Sequence, residues 1–241
     1  MNPVIPLYID ALLYLIAAII IAFIFFSLKF SLTAMGASEV KKKKYYALTT
    51  LILAGWLVTS ALVAINGTLL DFTSTPPKLM IIIIPPVLAI SYLSSSTRVN
   101  ALIKEIPSSW LVYIQSFRIL MEILLWLMFI RNVIPLQMTF EGVNYDILTG
   151  LSAPLIGYYC LSQNKWPRIT AVLWNMAGIL LVTNIFIVAL LSTPGPMRLF
   201  FNEPANTAVA YFPFVWVPAF IVPFAYLMHI LSLKQILKFN K

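Results

Sequence analysis

The chain has 241 residues, of which 61% are hydrophobic and only 10% are charged. Soluble domains carry about 25% charged residues, so this composition excludes an ordinary soluble protein and predicts an integral membrane protein. The net charge of +8 does not predict nucleic-acid binding, because no basic patch with stacked aromatic residues accompanies it.

Seven apolar stretches follow one another along the chain, and a membrane-spanning helix needs about 20 such residues. The fifth stretch is the shortest. We therefore expect an all-α, polytopic integral membrane bundle of seven transmembrane helices that forms a single domain over residues 1–241. The expected spans are approximately residues 6–28, 45–65, 78–95, 108–130, 147–161, 169–191 and 211–231.

The lysines predict how this bundle is oriented. Four consecutive lysines, Lys41 to Lys44, follow the first span, and short loops rich in Lys and Arg stay cytoplasmic. The amino terminus is then outside and the carboxy terminus is cytoplasmic, as in a multi-pass protein of the cell membrane. Binding of anionic lipid headgroups is a second interpretation of the lysine run, but anchoring alone accounts for it.

Prolines interrupt two of the spans. Pro85 and Pro86 lie in the third span, where missing amide donors either kink the helix or open it towards a cavity. The seventh span carries Pro213, Pro218 and Pro223. This spacing predicts a bent or wound helix that is packed where its free carbonyl groups find donors.

The fourth span contains the most informative residues. Arg118 and Glu122 are four residues apart near its centre, and Gln115 lies three residues before Arg118, so all three project from one side of a helix. Inserting one charged residue at mid-bilayer costs roughly 2.5 to 3.5 kcal/mol, and such residues face the protein interior or a wet cavity. We expect Arg118 and Glu122 to compensate each other's charge inside the bundle.

Further polar residues lie at a similar depth. The loop after Arg131 holds Glu141, Asn144 and Asp146, and Asp146 is a suitable cap for the fifth helix. This loop is either an ordinary surface loop or a lid that folds back over Arg118 and Glu122.

Asn175 and Asn184 of the sixth span are nine residues apart and lie on opposite faces of a helix, so they cannot serve one site. We prefer Asn184, because it lies at the outer depth of Glu122. Asp10 is a weaker candidate at the same level. The predicted ligand-binding residues are Arg118, Glu122, Asp146 and Asn184, with Glu141 and Asn144 at the mouth and Gln115 on the same helix face as Arg118.

Several familiar chemistries have no support in the sequence. The seventh span contains no lysine for a retinal Schiff base, and His229 is the single histidine, so this chain alone builds no multi-histidine zinc or haem site. We expect His229 to be an interfacial residue with its hydrogen bonds satisfied. No P-loop and no G-x-S-x-G motif is present, and we predict no metal and no cofactor.

Three functions remain compatible with these residues. In the first, the protein binds or passes a small solute or a proton at an outward-facing pocket, where Arg118 holds an anionic group or fixes the charge of Glu122. In the second, it is a structural subunit of a membrane complex. In the third, it is an intramembrane enzyme that uses Glu122, Glu141 and Asp146 on a lipid-linked substrate, although no nucleophile or metal stands beside them. The expected partners are the lipid bilayer and a small ligand, while the oligomeric state stays open.

Overall fold

The computed structural model describes residues 5–239. This part of the chain folds into helices joined by turns and loops and contains no strand. The helices are α1 (Leu7–Ala34), α2 (Glu39–Ile65), α3 (Met80–Ser95), α4 (Thr97–Glu105), α5 (Ser108–Ile130), α6 (Ile147–Ser162), α7 (Arg168–Leu191) and α8 (Val217–Lys238).

Five helices, namely α1, α2, α5, α7 and α8, are long and apolar enough to cross a membrane. A sixth span results if α3 and α4 are counted as one, with a bend of 69° between them. Helix α6 is apolar but shorter. The protein is therefore a membrane-embedded helical bundle with five or six candidate spans within residues 5–239, and the predicted count of seven is not confirmed.

Helices α5 and α8 form the centre of the bundle. Their most apolar windows are each 56% buried inside the protein, whereas the corresponding window of α2 is only 17% buried. Helix α5 packs against α1, α6 and α8, and α8 also packs along α7. This arrangement explains why the polar residues of α5 avoid lipid, since its neighbours enclose them on several sides.

The sharp bend lies at Ser96, directly after the third predicted span, and not at the prolines. Helix α3 continues through Pro85 and Pro86 and ends at Ser95. Ser96 has an extended backbone, and its Oγ accepts a hydrogen bond from the Val99 amide at the start of α4. Such capping satisfies an amide that would otherwise lack a partner, so a new helix begins here at a new angle.

Helix α8 has the irregular beginning that its prolines predict. Residues Val217–Ile221 form a π-helical stretch before the regular helix starts at Val222. Pro223 cannot donate to the carbonyl of Ala219, four residues earlier. The indole Nε1 of Trp56 in α2 donates to that carbonyl at 2.9 Å. The carbonyl that lacks its usual donor because of the proline therefore accepts a hydrogen bond from a neighbouring helix. Inside a membrane such a carbonyl needs a partner from the protein.

Glycine allows close contact between α7 and α8. Gly178 is buried, and a Cβ atom at this position would overlap the imidazole ring of His229. Gly55, in the interior of α2, has open space around the corresponding position. The two glycines form a matched pair, because both lie inside long apolar helices but only Gly178 is needed for packing.

We predict that Gly178→Ala lowers the free energy of unfolding by about 1–3 kcal/mol, the usual cost of overpacking a close contact. Gly55→Ala, the matched control, should leave stability unchanged or raise it slightly because alanine favours helix. Thermal unfolding of the two detergent-purified variants measures the difference. Equal melting temperatures for the two variants would contradict the proposed contact.

Candidate functional site

Arg118 forms the central ion pair of the bundle. Its side chain is 1% exposed, and its Nε donates to Oδ2 of Asp146 at 2.6 Å. Its Nη2 pairs with the other carboxylate oxygen, Oδ1. This two-point contact joins α5 to the start of α6 and matches the planar guanidinium to both carboxylate oxygens.

The predicted pairing of Arg118 with Glu122 is therefore wrong. Asp146 occupies the N-cap position of α6 but makes no capping hydrogen bond with its side chain. The carboxylate is directed at Arg118 instead. An arginine buried inside a membrane bundle gains more from a bidentate partner on another helix than α6 gains from a cap.

His229 extends the network on the other side of Arg118. Nη1 of Arg118 lies 2.9 Å from Nε2 of His229, and Nδ1 of His229 lies 2.9 Å from Oδ1 of Asn175. A guanidinium only donates, so Nε2 accepts and the imidazole proton resides on Nδ1, from which it donates to Asn175. His229 is completely buried, and both ring nitrogens have partners, so the expectation that its hydrogen bonds are satisfied is confirmed.

Asn175 connects this network to a second residue on the same face of α8. Its Nδ2 donates to Oγ of Ser232 at 3.1 Å and to the carbonyl of Ala171 at 2.8 Å. The hydrogen-bonded series from Asp146 through Arg118, His229 and Asn175 to Ser232 thus links α6, α5, α8 and α7. We call this series the buried polar chain.

Glu122 stands beside the buried polar chain with a different partner. Its side chain is 1% exposed, and Oε1 accepts a hydrogen bond of 2.6 Å from Nδ2 of Asn144. The other oxygen, Oε2, has no hydrogen-bond partner among the described residues. Arg118 forms its ion pair with Asp146 and not with Glu122.

Asn144 connects Glu122 to Asp146. Its Nδ2 also donates to the carbonyl of Met138 at 3.1 Å, and its Oδ1 accepts from the Asp146 amide at 3.1 Å. One asparagine side chain therefore fixes the position of Glu122 and the backbone at the start of α6. The prediction placed Asn144 at the mouth of the site, but it is completely buried.

The loop between α5 and α6 folds into the bundle. Gln137 in its short 3₁₀ turn donates from Nε2 to Oγ of Ser192 at the end of α7, at 2.9 Å. Of the two interpretations of this loop, the structure has the one in which it covers Arg118 and Glu122. The buried residues of the loop are Val133, Ile134, Pro135, Gln137, Met138, Thr139, Asn144 and Asp146.

The remaining predicted residues surround this centre. Gln115 is buried and donates from Nε2 to the carbonyl of Ala225 in α8 at 3.1 Å. Asn184 donates to the carbonyl of Val143 at 2.7 Å and so holds the covering loop. Glu141 is exposed and accepts from Nε1 of Trp126 at 2.8 Å, and it does not line the cavity that Glu122 and Asp146 share.

A cavity of about 90 Å³ adjoins the charged residues. Arg118, Glu122 and Asp146 all line it, while most of the remaining wall is apolar and comes from α5, α7 and the beginning of α8. Asp10 does not belong to this wall. A space of this size holds a few water molecules or a small organic group. The described residues contain no group of three or more His, Cys, Asp or Glu that could hold a metal ion.

Sequence reasoning missed His229, Asn175 and Ser232. A usable signal was present, because His229 and Ser232 are three residues apart and share one face of α8. Polar residues on α7 and α8 both need partners inside a membrane, and pairing them with each other was the simplest solution. Because Asn184 was preferred to Asn175 for the site, the pairing of Asn175 with α8 was not predicted.

Comparison with protein families gives one match. Residues 76–237 match the family described as Domain of unknown function (DUF8737). The chain belongs to this family. The DUF8737 region contains every residue of the buried polar chain together with Glu122 and Asn144, and it begins after α1 and α2. No curated protein and no solved structure matches the chain.

We predict that Arg118→Leu lowers the free energy of unfolding by about 3–5 kcal/mol, because it leaves Asp146 buried without its counter-charge. Adding Asp146→Leu should recover part of this loss, whereas adding Glu122→Leu should recover less. A double-mutant cycle from chemical or thermal unfolding in detergent measures the couplings. A stronger coupling of Arg118 to Glu122 than to Asp146 would refute this pairing.

Proposed function

We propose that the protein binds or passes a small solute or a proton at the polar pocket centred on Arg118 and Glu122. The observation that carries this proposal is the free carboxyl oxygen of Glu122, Oε2, on a buried side chain in the wall of the cavity. Ionisable residues inside a membrane bundle are costly, and they mark ion pathways, proton relays and ligand sites.

The charges around the pocket support this interpretation. Two carboxyl groups and one guanidinium line the cavity. Asp146 takes the guanidinium through two contacts, which leaves Glu122 without a cation of its own. A proton, or a donor group of a small solute, is then the natural partner of Oε2.

Arg118 has a positioning role in this proposal. Its Nε, Nη1 and Nη2 are directed at Asp146 and His229, so it holds the start of α6 and the covering loop in place. Glu122 is the residue that meets the solute or proton. Asn144 aligns Glu122 through the 2.6 Å hydrogen bond to Oε1.

We further propose seven spans in the cell membrane, with the amino terminus outside and the pocket facing outward. In this arrangement α3 together with α4 and the short helix α6 supply the third and fifth spans. The lysines support it, because Lys41 to Lys44 lie in the first turns of α2, and Lys234, Lys238 and Lys241 lie at the carboxyl end of the chain. Basic residues that flank a span in this way stay cytoplasmic.

This topology predicts the location of two reporters. A reporter fused after Lys241 should be cytoplasmic, and one inserted at Ser74 should be outside. Labelling intact and permeabilised cells with a membrane-impermeant reagent measures both. A reporter at Lys241 that is accessible in intact cells would rule out this orientation.

For the pocket, we predict that Glu122→Gln abolishes ligand or proton exchange, because the amide cannot take up a proton or neutralise a cation. Two assays on purified protein test this: acid-driven proton flux into liposomes that contain a pH-sensitive dye, and thermal stabilisation by ethylammonium chloride. Wild-type protein should respond in at least one of them, and Glu122→Gln in neither.

Glu141→Gln is the matched control, since Glu141 is an exposed carboxylate that contacts Trp126. It should retain the wild-type response. No response from wild-type protein in either assay, or the same response from wild type and Glu122→Gln, would refute the pocket proposal.

A structural subunit is the second candidate, and the buried polar chain is the observation that favours it. The members of that chain are paired across four helices, as expected for charges that only fix helix register. Under this alternative, Glu122→Gln changes neither flux nor ligand response. The enzyme hypothesis has less support, because Glu141 lies apart from Glu122 and Asp146.

A further inference from the structure

A second cavity has a volume of about 520 Å³. It borders the face of α8 that is turned away from His229 and Ser232, the two residues of α8 in the buried polar chain. Its walls come from α1, α2, α3, α4 and α8, with a few residues around the start of α5, and nearly all of the lining side chains are apolar. We call this cavity the apolar groove. It shares no lining residue with the cavity beside Glu122.

The groove exists because α2 is buried against the bundle along only half of its length. The buried residues of α2 are Leu57, Ser60 and Ala64, and none of the positions from Glu39 to Trp56 is buried. Two indole hydrogen bonds fix the inserted half, from Trp56 to the Ala219 carbonyl and from Trp216 to the Leu57 carbonyl. The half that carries the lysines contacts α1 through the rings of Tyr46 and Phe25, but none of its residues is buried, and the groove lies beside it.

On α2, basic residues follow the residues that line the groove. The wall residues on this helix are Thr49, Ile52, Leu53 and Trp56, which form one helical face by their spacing of three, four and seven. Towards the amino terminus the same face continues to Lys42, seven residues before Thr49, and at its edge to Lys41, eight residues before it. Lys42 is paired with Glu39. Lys41 is exposed and forms no ion pair with a described residue.

A basic residue also adjoins the part of the groove wall that α4 supplies. Leu102 and Ile106 line the groove, and Arg98 precedes Leu102 by four residues, so it shares that helix face. Arg98 is exposed and also forms no ion pair with a described residue. Cations therefore follow the apolar lining on both α2 and α4.

The groove also contains an unsatisfied polar atom. Ser27 of α1 lines it and is 6% exposed, yet its Oγ has no hydrogen-bond partner among the described residues. A buried hydroxyl without a partner is uncommon in a folded protein. Its position in the groove wall suits a ligand that carries a hydrogen-bond acceptor between its apolar and charged parts.

We propose that the apolar groove binds an anionic phospholipid. One acyl chain lies between α1, α2 and α8, the hydroxyl of Ser27 donates to an ester carbonyl, and the phosphate contacts Lys41 and Arg98. Acyl chains supply the apolar surface that such a groove buries, and Lys and Arg at its end select negatively charged headgroups. This site is independent of the proposed function of Glu122.

The test uses the full chain, purified and delipidated in dodecyl maltoside, titrated with dioleoylphosphatidylglycerol or dioleoylphosphatidylcholine. Native mass spectrometry measures lipid occupancy, and thermal unfolding measures stabilisation. Wild-type protein should bind phosphatidylglycerol more tightly by about tenfold, given the attraction of two basic residues to an anionic lipid. Equal binding of the two lipids by wild-type protein would overturn the proposal.

Two charge variants identify the headgroup contact. Lys41→Gln with Arg98→Gln should lose the preference for phosphatidylglycerol, and the conservative pair Lys41→Arg with Arg98→Lys should retain it. Lys165→Gln with Lys238→Gln removes the same charge from exposed lysines that lie outside the groove and should leave the preference intact. A loss of preference in this control pair would show that net charge alone, and not this site, attracts the lipid.

A filling variant tests the chain position. Ala89 of α3 lines the groove, so Ala89→Phe should reduce the occupancy of both lipids. Ala47→Phe, on an exposed position of α2 outside the groove, should not. Unchanged phosphatidylglycerol binding by Ala89→Phe would overturn the assignment of the acyl chain to the groove.

Discussion

Arg118 lies almost completely buried near the middle of the central helix, and a guanidinium in that position needs a counter-charge and several acceptors. Asp146 supplies the charge and His229 supplies a further acceptor. These two partners come from the helices on either side of α5, so satisfying one side chain determines how three helices meet. Gly178 then allows α7 to approach the imidazole ring closely.

The same requirement shapes the loop between α5 and α6. Asp146 can reach Arg118 only if the loop before it folds onto the bundle, and Asn144 holds this conformation by bonding both Glu122 and the Asp146 amide. Covering the site also removes Glu122 from solvent. The arrangement leaves one buried carboxyl group in excess of the available positive charge, and this excess connects the fold to the proposed binding of a proton or small solute.

Helix α2 is attached to the bundle differently from the central helices. It is held to α8 by two tryptophans, and one of their acceptors is a carbonyl that Pro223 leaves without its usual donor. Few of its apolar side chains are covered by protein, so lipid must cover the rest. The peripheral position of α2 and the apolar groove beside it are consequences of the same limited contact.

The sequence by itself determined the helical membrane class, because so high a proportion of apolar residues cannot be placed in a soluble core, and it singled out Arg118 and Glu122 by the cost of burying charge. It also predicted that Asp146 lies with them, but it placed Asn144 at the mouth of the site and counted Asn184 as a member, whereas Asn144 is buried and Asn184 does not line the cavity. Only the tertiary structure decided that Asp146, and not Glu122, pairs with Arg118, and that His229 and Asn175 complete the network. Helical spacing places side chains on a face, but the choice among nearby partners depends on the three-dimensional approach of other helices and of a loop, which local sequence does not encode.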